Sequence, residues 1–239
     1  MTQKRLDQIL VHRGLGSRSE VKKFIRRGLI EVDGDICSEN TRKFSSAVCI
    51  RVQGELLPDV PKLLVWHKPV GVICTTRDPW GRRDLDGVLP YRWRTRFHPV
   101  GRLDGETSGL LLFSSEGLVT QWLLHPRRVI ERRYIATVTG MPTPDLSDTL
   151  ARGVETSLGT FPARVVRLEN SEVELVVTEG KHRMVRRILA NSGYPVERLH
   201  RIAYGPVQLQ QLAVEKLRPI TAEECRTLVE LGAPFGDDV

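Results

Sequence analysis

Gly101-Arg102-Leu103-Asp104-Gly105-Glu106-Thr107-Ser108-Gly109, running directly into Leu110-Leu111-Leu112-Phe113, decides how this chain is read. The apolar run reads as a buried strand of about four residues, and Gly105 to Gly109 before it as a tight turn. Asp104 then stands on a loop at the edge of a core, where rigid structure can hold a reactive group. Arg102, two residues earlier, is long enough to touch a phosphate or to fill a gap in a base stack. An aspartate in such a loop ordinarily just caps a turn, so its meaning depends on the rest of the chain.

The 239 residues suffice for one large domain, or for a small one and a medium one. With 40% hydrophobic and 27% charged residues, the composition is that of an ordinary globular protein. No apolar run approaches the roughly 20 residues that span a bilayer. Met1 to Asp7 is charged and has no apolar signal core, so the chain is expected in the cytoplasm, without a membrane partner.

A formal net charge of +7 attracts polyanions, and its distribution says more than its sum. Met1 to Arg27 carries eight basic residues (Lys4, Arg5, Arg13, Arg18, Lys22, Lys23, Arg26, Arg27) against Asp7 and Glu20. Lys181 to Arg201 carries six against Glu197 alone, and the arginines at 77, 82, 83, 92, 94, 96 and 102 form a third group. Three separated basic segments suit a long polyanion such as RNA better than a small acidic substrate.

Cys37, Cys49, Cys74 and Cys225 show no CxxC spacing, and the six histidines are scattered. Reduced thiols and no metal are expected. Neither GxGxxG nor GxxxxGK[ST] occurs, so no nucleotide cofactor is expected.

At the N-terminus, Leu6, Ile9 and Leu10 recur at helical spacing, and Gly14 and Gly16 end that helix. Ser17-Arg18-Ser19-Glu20 fits a capping box for a second helix with Val21, Phe24 and Ile25 on its apolar face. Ile30 to Ile36 alternates around Asp33-Gly34, a hairpin signal, and Val48 to Val52 supplies another strand. Two small helices, one heavily basic, followed by a hairpin resemble the S-four RNA-binding domain. The resemblance covers about residues 3–50 and rests on Arg5-Leu6-Asp7-Gln8-Ile9-Leu10, the Gly-Ser-Arg-Ser-Glu helix start and Ile30-Glu31-Val32-Asp33-Gly34. It implies RNA contacts through Arg5, Arg18, Lys22, Lys23 and Arg26, since a capped helix N-terminus and a basic side dock phosphates together.

Residues 53–62 read as a linker, with Gly54, Pro58 and Pro61. The expected organisation is therefore an RNA-binding domain at 1–52, a linker at 53–62, a catalytic domain at 63–232 and a flexible tail at 233–239. In the second domain strands are expected at 63–66, 72–74, 110–113, 133–139, 161–167, 172–177 and 196–202. Helices are expected at 116–124, 145–151, 181–191 and 222–231. Strands mixed with short helices, without regular βαβ alternation, argue for α+β: a small N-terminal α/β domain, then a mixed, mainly antiparallel sheet flanked by helices.

Arg102-Leu103-Asp104 followed by Thr107-Ser108-Gly109 resembles, unbroken, the signature of the pseudouridine synthases, whose single catalytic aspartate follows an arginine and a leucine. With the S-four domain in front, the chain is similar over nearly its whole length to the small-subunit-type bacterial rRNA pseudouridine synthases. The resemblance implies three further roles. Tyr134 matches a tyrosine that stacks on the target uracil. Arg186, at the edge of a basic helix whose Met184, Val185, Ile188 and Leu189 face the core, matches a basic partner of the aspartate. His67-Lys68-Pro69-Val70-Gly71 matches a lysine-proline turn that packs beneath the site.

In this reading Arg102 fills the space that the flipped base vacates, while Lys181 and Arg187 touch RNA. The implied reaction detaches uracil, turns it and rejoins it through carbon 5. It needs an ionised carboxylate as nucleophile or base, favoured by an adjacent guanidinium. Neither a redox step nor an external group takes part. The expected partner is ribosomal RNA or a ribosomal assembly particle, and the expected state is a monomer. A non-catalytic ribosome assembly factor is the rival reading; a methyltransferase is disfavoured by the missing glycine-rich loop.

Overall fold

The structure is a computed structural model that describes residues 3–45 and 48–235. The chain divides into two compact units: residues up to Lys62 together with Leu89–Arg96 and Phe235, and Leu63–Val88 together with Phe97–Pro234.

In the first unit, helices Leu6–His12 and Arg18–Arg26 precede a small antiparallel sheet of Ile30–Val32, Asp35–Ile36, Ile50–Val52 and Glu55–Leu56. The helical spacing seen in sequence becomes a core of Leu6, Ile9, Leu10, Val21 and Ile25 against Ile30, Val32 and Ile50. The capping box forms: the Glu20 carboxylate accepts from the Ser17 backbone N–H at 2.7 Å, and Ser17 Oγ accepts from the Glu20 N–H. Asp33 and Gly34 turn the hairpin with φ of 53° and 97°, as a two-residue connection requires. The Leu89–Arg96 segment is tied to this unit by the Arg96 guanidinium, which donates to the His12 carbonyl and meets His12 Nδ1 at 2.8 Å.

The second unit holds one nine-stranded sheet among the described residues. Its main path runs Arg164–Glu169, Glu172–Val177, Arg132–Val138, Val196–Tyr204, Thr107–Ser114, Leu63–Lys68 and Leu217–Pro219. Val207–Gln208 pairs with the Val196–Tyr204 strand, and His98–Val100 with Thr107–Ser114. Every pairing is antiparallel except that of Val196–Tyr204 with Thr107–Ser114. A core of Ala136, Val138, Val173, Leu175 and Leu199 packs against Leu146, Leu150, Ile188 and Leu189 from two helices.

Several local expectations change, among them the linker expected at 53–62, where Glu55–Leu56 forms a strand paired with Ile50–Val52 and Leu57 and Val60 are buried. The strand that starts the decisive stretch is Thr107–Ser114, so Thr107, Ser108 and Gly109 belong to the strand and the turn before it is shorter. Val72 to Cys74 is a loop: Gly71 turns the chain at φ 88°, and the Ile73 N–H is taken by the Arg83 carbonyl. The 161–167 strand is split around Pro162 into Gly159–Phe161 and Arg164–Glu169, because proline has no N–H for a ladder. The helix expected from 181 begins at Met184, because Arg183 takes a left-handed conformation (φ 53°) and the preceding residues form a turn. At the C-terminus Ala233 is buried, with its N–H on the Leu228 carbonyl. The part of the expected tail from 236 to 239 lies outside the described residues.

Candidate active site

The register of the second unit's sheet places four residues in one row. Tyr134 faces Arg201, Arg201 faces Gly109, and Gly109 faces Lys68 on successive strands. Residues opposite each other across strands share a face of the sheet. Gly109 holds the middle of the row at φ 108°, and a Cβ there would lie 2.2 Å from the Arg201 carbonyl oxygen. Only glycine lets these two strands close.

Asp104 sits in the turn just before the Gly109 strand and is half-buried. Its backbone carbonyl accepts from the Thr107 N–H at 3.0 Å and from Lys68 Nζ at 3.1 Å. The Gly105 carbonyl accepts from the Gly71 N–H at 2.7 Å, and the Leu103 N–H donates to Cys74 Sγ at 3.3 Å. Leu103 is buried in the core while Arg102 is exposed, so the two point opposite ways, as an extended segment requires. The turn is thus held through its backbone, which leaves the Asp104 carboxylate free for chemistry.

That carboxylate borders a cavity of about 230 Å³, lined also by Arg102, Thr107, Tyr134, Lys181 and Arg201. Tyr134 is buried in its wall, with its hydroxyl 3.4 Å from Arg201 Nη1. Arg102 and Lys181 are exposed. Arg132 and Arg201, both buried, stack on Tyr204 at 4.9 and 5.2 Å from the ring centroid. Arg132 also donates to the Tyr204 hydroxyl at 2.9 Å. Neither arginine makes an ion pair with a described carboxylate. The cavity is lined by Arg102, Arg132, Lys181, Arg183 and Arg201 against the carboxylates of Asp104 and Glu179, an excess of positive charge that suits a strand of RNA.

The sequence-derived candidates separate in space. Asp104, Tyr134, Arg102 and Lys181 meet at this cavity. Arg186 does not border it. Its guanidinium donates to the Glu106 carbonyl and to the Val196 carbonyl, both at 3.0 Å, and it lines a neighbouring cavity. Burial holds its pKa below the ordinary value, with the nearby Glu106 and Asp104 carboxylates pulling the other way. Arg186 thus braces the turn behind Asp104 and makes no ion pair with its carboxylate. Arg187 also lies outside the cavity, donating to Ser157 Oγ at 2.7 Å.

In the first unit, Arg18, Lys22, Lys23 and Arg26 are all exposed on one helix. Arg18, Lys22 and Arg26, four residues apart, form a single row along it. Arg5 instead makes a two-pronged contact with Asp7, at 3.0 and 2.8 Å.

Arg201 and Arg132 were not singled out from sequence, and Thr107 entered only as part of the signature, with no role of its own. A signal for Arg201 existed: an arginine at an inward position, two residues from the buried Leu199. Lys68 was recognised as structural, and the geometry makes its part specific. It is fully buried, and its Nζ donates to the carbonyls of Pro69, Asp104 and Thr107. Lys68→Met leaves the Asp104 and Thr107 carbonyls without that donor. A loss of about 1–3 kcal/mol is expected, read as a Tm about 2–10 °C lower.

Burial also pushes the Lys68 ammonium down from 10.5 to about 8. Below pH 8 folded and unfolded chains both hold the proton, whereas between 8 and 10.5 only the unfolded chain does. The Lys68 contribution to stability therefore rises with pH across that window. The Tm deficit of Lys68→Met should widen between pH 7 and 9.5; a constant deficit would reject this account of the proton.

Comparison with known proteins agrees with this geometry. Residues 62–191 match the profile described as RNA pseudouridylate synthase, and residues 4–42 that of the S4 domain. The ribosomal large subunit pseudouridine synthase B of Yersinia pestis is 36% identical over 217 residues, covering 86% of this chain and 68% of the relative. Its counterpart from Bacillus subtilis is 32% identical over 235 residues, covering 94% and 95%. A solved structure described as a pseudouridylate synthase superposes with a TM-score of 0.66 at 27% identity, covering 94% of this chain and 99% of that one.

Proposed function

This chain belongs to the RNA pseudouridylate synthase family, and from that premise we propose how it isomerises uridine to pseudouridine in ribosomal RNA, with Asp104 as the catalytic carboxylate. The names of the relatives favour RNA of the large subunit as the substrate. One observation carries the assignment of Asp104: it is the carboxylate on a backbone-braced turn that opens into the same cavity as Tyr134.

The target uridine leaves its stack, at a cost of a few kcal/mol. Its base enters the cavity and stacks on Tyr134, which returns about 1–3 kcal/mol. Arg102, exposed at the cavity, fills the vacated space. The Asp104 carboxylate then acts as nucleophile or as base on the sugar, the glycosidic bond to N1 breaks, and the base rejoins through carbon 5. The carbon 5 proton is released to solvent and N1 takes up a proton, so the product is an isomer of uridine. Lys68 and Arg186 act as positioning residues, because each holds a backbone carbonyl of the Asp104 turn. The reaction takes place in the cytoplasm.

Tritium release from rRNA labelled at carbon 5 of uridine tests this directly, with large- and small-subunit transcripts assayed separately. Release from the large-subunit transcript is the expected result. Tight binding without release from naked transcripts or from assembly particles would favour the non-catalytic assembly factor.

The S4 unit contributes affinity through phosphates. Replacing Arg18, Lys22 and Arg26 together by glutamine is expected to weaken rRNA binding. It should also lower the slope of log affinity against log salt by about 2, because each lost contact to a single strand removes about 0.7 of counterion release. An unchanged slope would exclude this helix as the phosphate-binding face.

A further inference from the structure

Two residues that line the Asp104 cavity each hold a buried polar atom without a hydrogen-bond partner: Nη2 of Arg201 and Oγ1 of Thr107. Arg201 is 2% exposed and Thr107 1%. The rest of the Arg201 guanidinium is held, since Nε donates to the Leu110 carbonyl at 2.7 Å and Nη1 meets the Tyr134 hydroxyl at 3.4 Å. Nη2 is its one free arm. A buried unpaired donor is costly, and more so on a charged group. Such an atom in a cavity wall marks a place where a ligand completes the bonding.

The ligand's chemistry follows from depth and register. An RNA backbone has to continue past the site, so its phosphates meet the exposed Arg102 and Lys181 rather than a side chain as buried as Arg201. A base is the part of the strand that enters a cavity of about 230 Å³. Arg201 faces Tyr134 across the strands, and Thr107 lies on the other neighbouring strand, opposite Leu199. The two free atoms thus offer an obligate donor and a hydroxyl that also accepts. Uracil presents a matching edge, a carbonyl oxygen beside the N3–H.

We propose that Arg201 and Thr107 read the uracil edge, with Arg201 Nη2 donating to a carbonyl that flanks N3 and Thr107 Oγ1 accepting the N3–H. This rests on the base-binding reading of the cavity given above and adds to it the residues that select the base. Because a guanidinium donates only, it rejects an amino group at the same place, as a buried site built for one hydrogen-bond pattern does.

The test is a cycle between protein and RNA, run in full-length chain carrying Asp104→Asn so that no turnover intervenes. The RNA is the rRNA fragment that the tritium assay selects, with 2-thiouridine, 4-thiouridine or an abasic site at the target. Sulfur is a weak acceptor, so one of the two thio substitutions is expected to weaken binding about 10- to 100-fold. Adding Arg201→Met should erase that penalty to within about 3-fold, while both proteins bind the abasic RNA equally. A merely structural role for Arg201 would weaken abasic and thio RNA alike.

The proposal is overturned if neither thio substitution weakens binding, or if the penalty survives in Arg201→Met. Should Arg201→Met not fold, Thr107→Val carries the protein arm, because it keeps the backbone carbonyl that Lys68 uses. It should then weaken uridine RNA and leave abasic RNA unchanged; equal binding of uridine RNA by both proteins overturns the proposal. An active enzyme indifferent to both thio substitutions sinks this inference alone, whereas absence of tritium release sinks the reading beneath it.

Discussion

Asp104→Asn is expected to lower single-turnover tritium release by about 10⁴-fold or more, with rRNA affinity within about 3-fold of wild type. The amide has the size of the carboxylate but is neither a useful nucleophile nor a base at neutral pH. The fold should be indifferent to the exchange, because the turn is braced through the Asp104 backbone carbonyl, by Thr107 and Lys68, and not through its side chain. A Tm close to wild type then separates lost chemistry from lost structure. Turnover within about tenfold of wild type in a clean preparation would remove Asp104 from the reaction and move attention to the other groups around the cavity.

Gly109→Ala should be the most damaging small substitution in the sheet, with a loss of about 4 kcal/mol or more and a Tm lower by about 8–16 °C. Two costs add. The residue stands at φ 108°, where an alanine is strained, and its Cβ would meet Arg201 backbone atoms at 2.2 to 2.9 Å. Backbone cannot swing aside as a flexible side chain does, so relief requires parting the parallel pair that carries Thr107 and Arg201. Ser108→Ala is the control. It removes one hydroxyl bond to His200, at 2.8 Å, from the adjacent residue, and about 1 kcal/mol is expected. Equal Tm values for the two variants would show that the close approach at Gly109 relaxes cheaply.

Much of the local architecture was legible because local physics produces it. Ser17 and Glu20 cap a helix through bonds three residues apart, and Asp33-Gly34 turns a hairpin with backbone angles few other pairs accept. The apolar run at 110–113 could only be buried. Its strand was read too short because Thr107 and Ser108 are polar, yet both are drawn in by pairing with Leu199 and His200. Val72 to Cys74 looked like a strand by composition, but the turn at Gly71 and a carbonyl from Arg83 claim its backbone.

The sequence alone determined the order of the two units, the basic row on the second helix and the loop that presents Asp104, since each depends on residues close together in the chain. Only the tertiary structure decided what surrounds that carboxylate. Arg186 and Arg201 lie on neighbouring stretches of the same basic segment, one on an expected helix and one on an expected strand, and nothing local says which of them reaches the Asp104 cavity. The strand register sets Arg201 between Tyr134 and Gly109 on the cavity wall, whereas the helix aims Arg186 at the carbonyls of Glu106 and Val196. Strand register between residues 109 and 201 comes from burial and backbone approach summed over the whole sheet, so no window of sequence contains it.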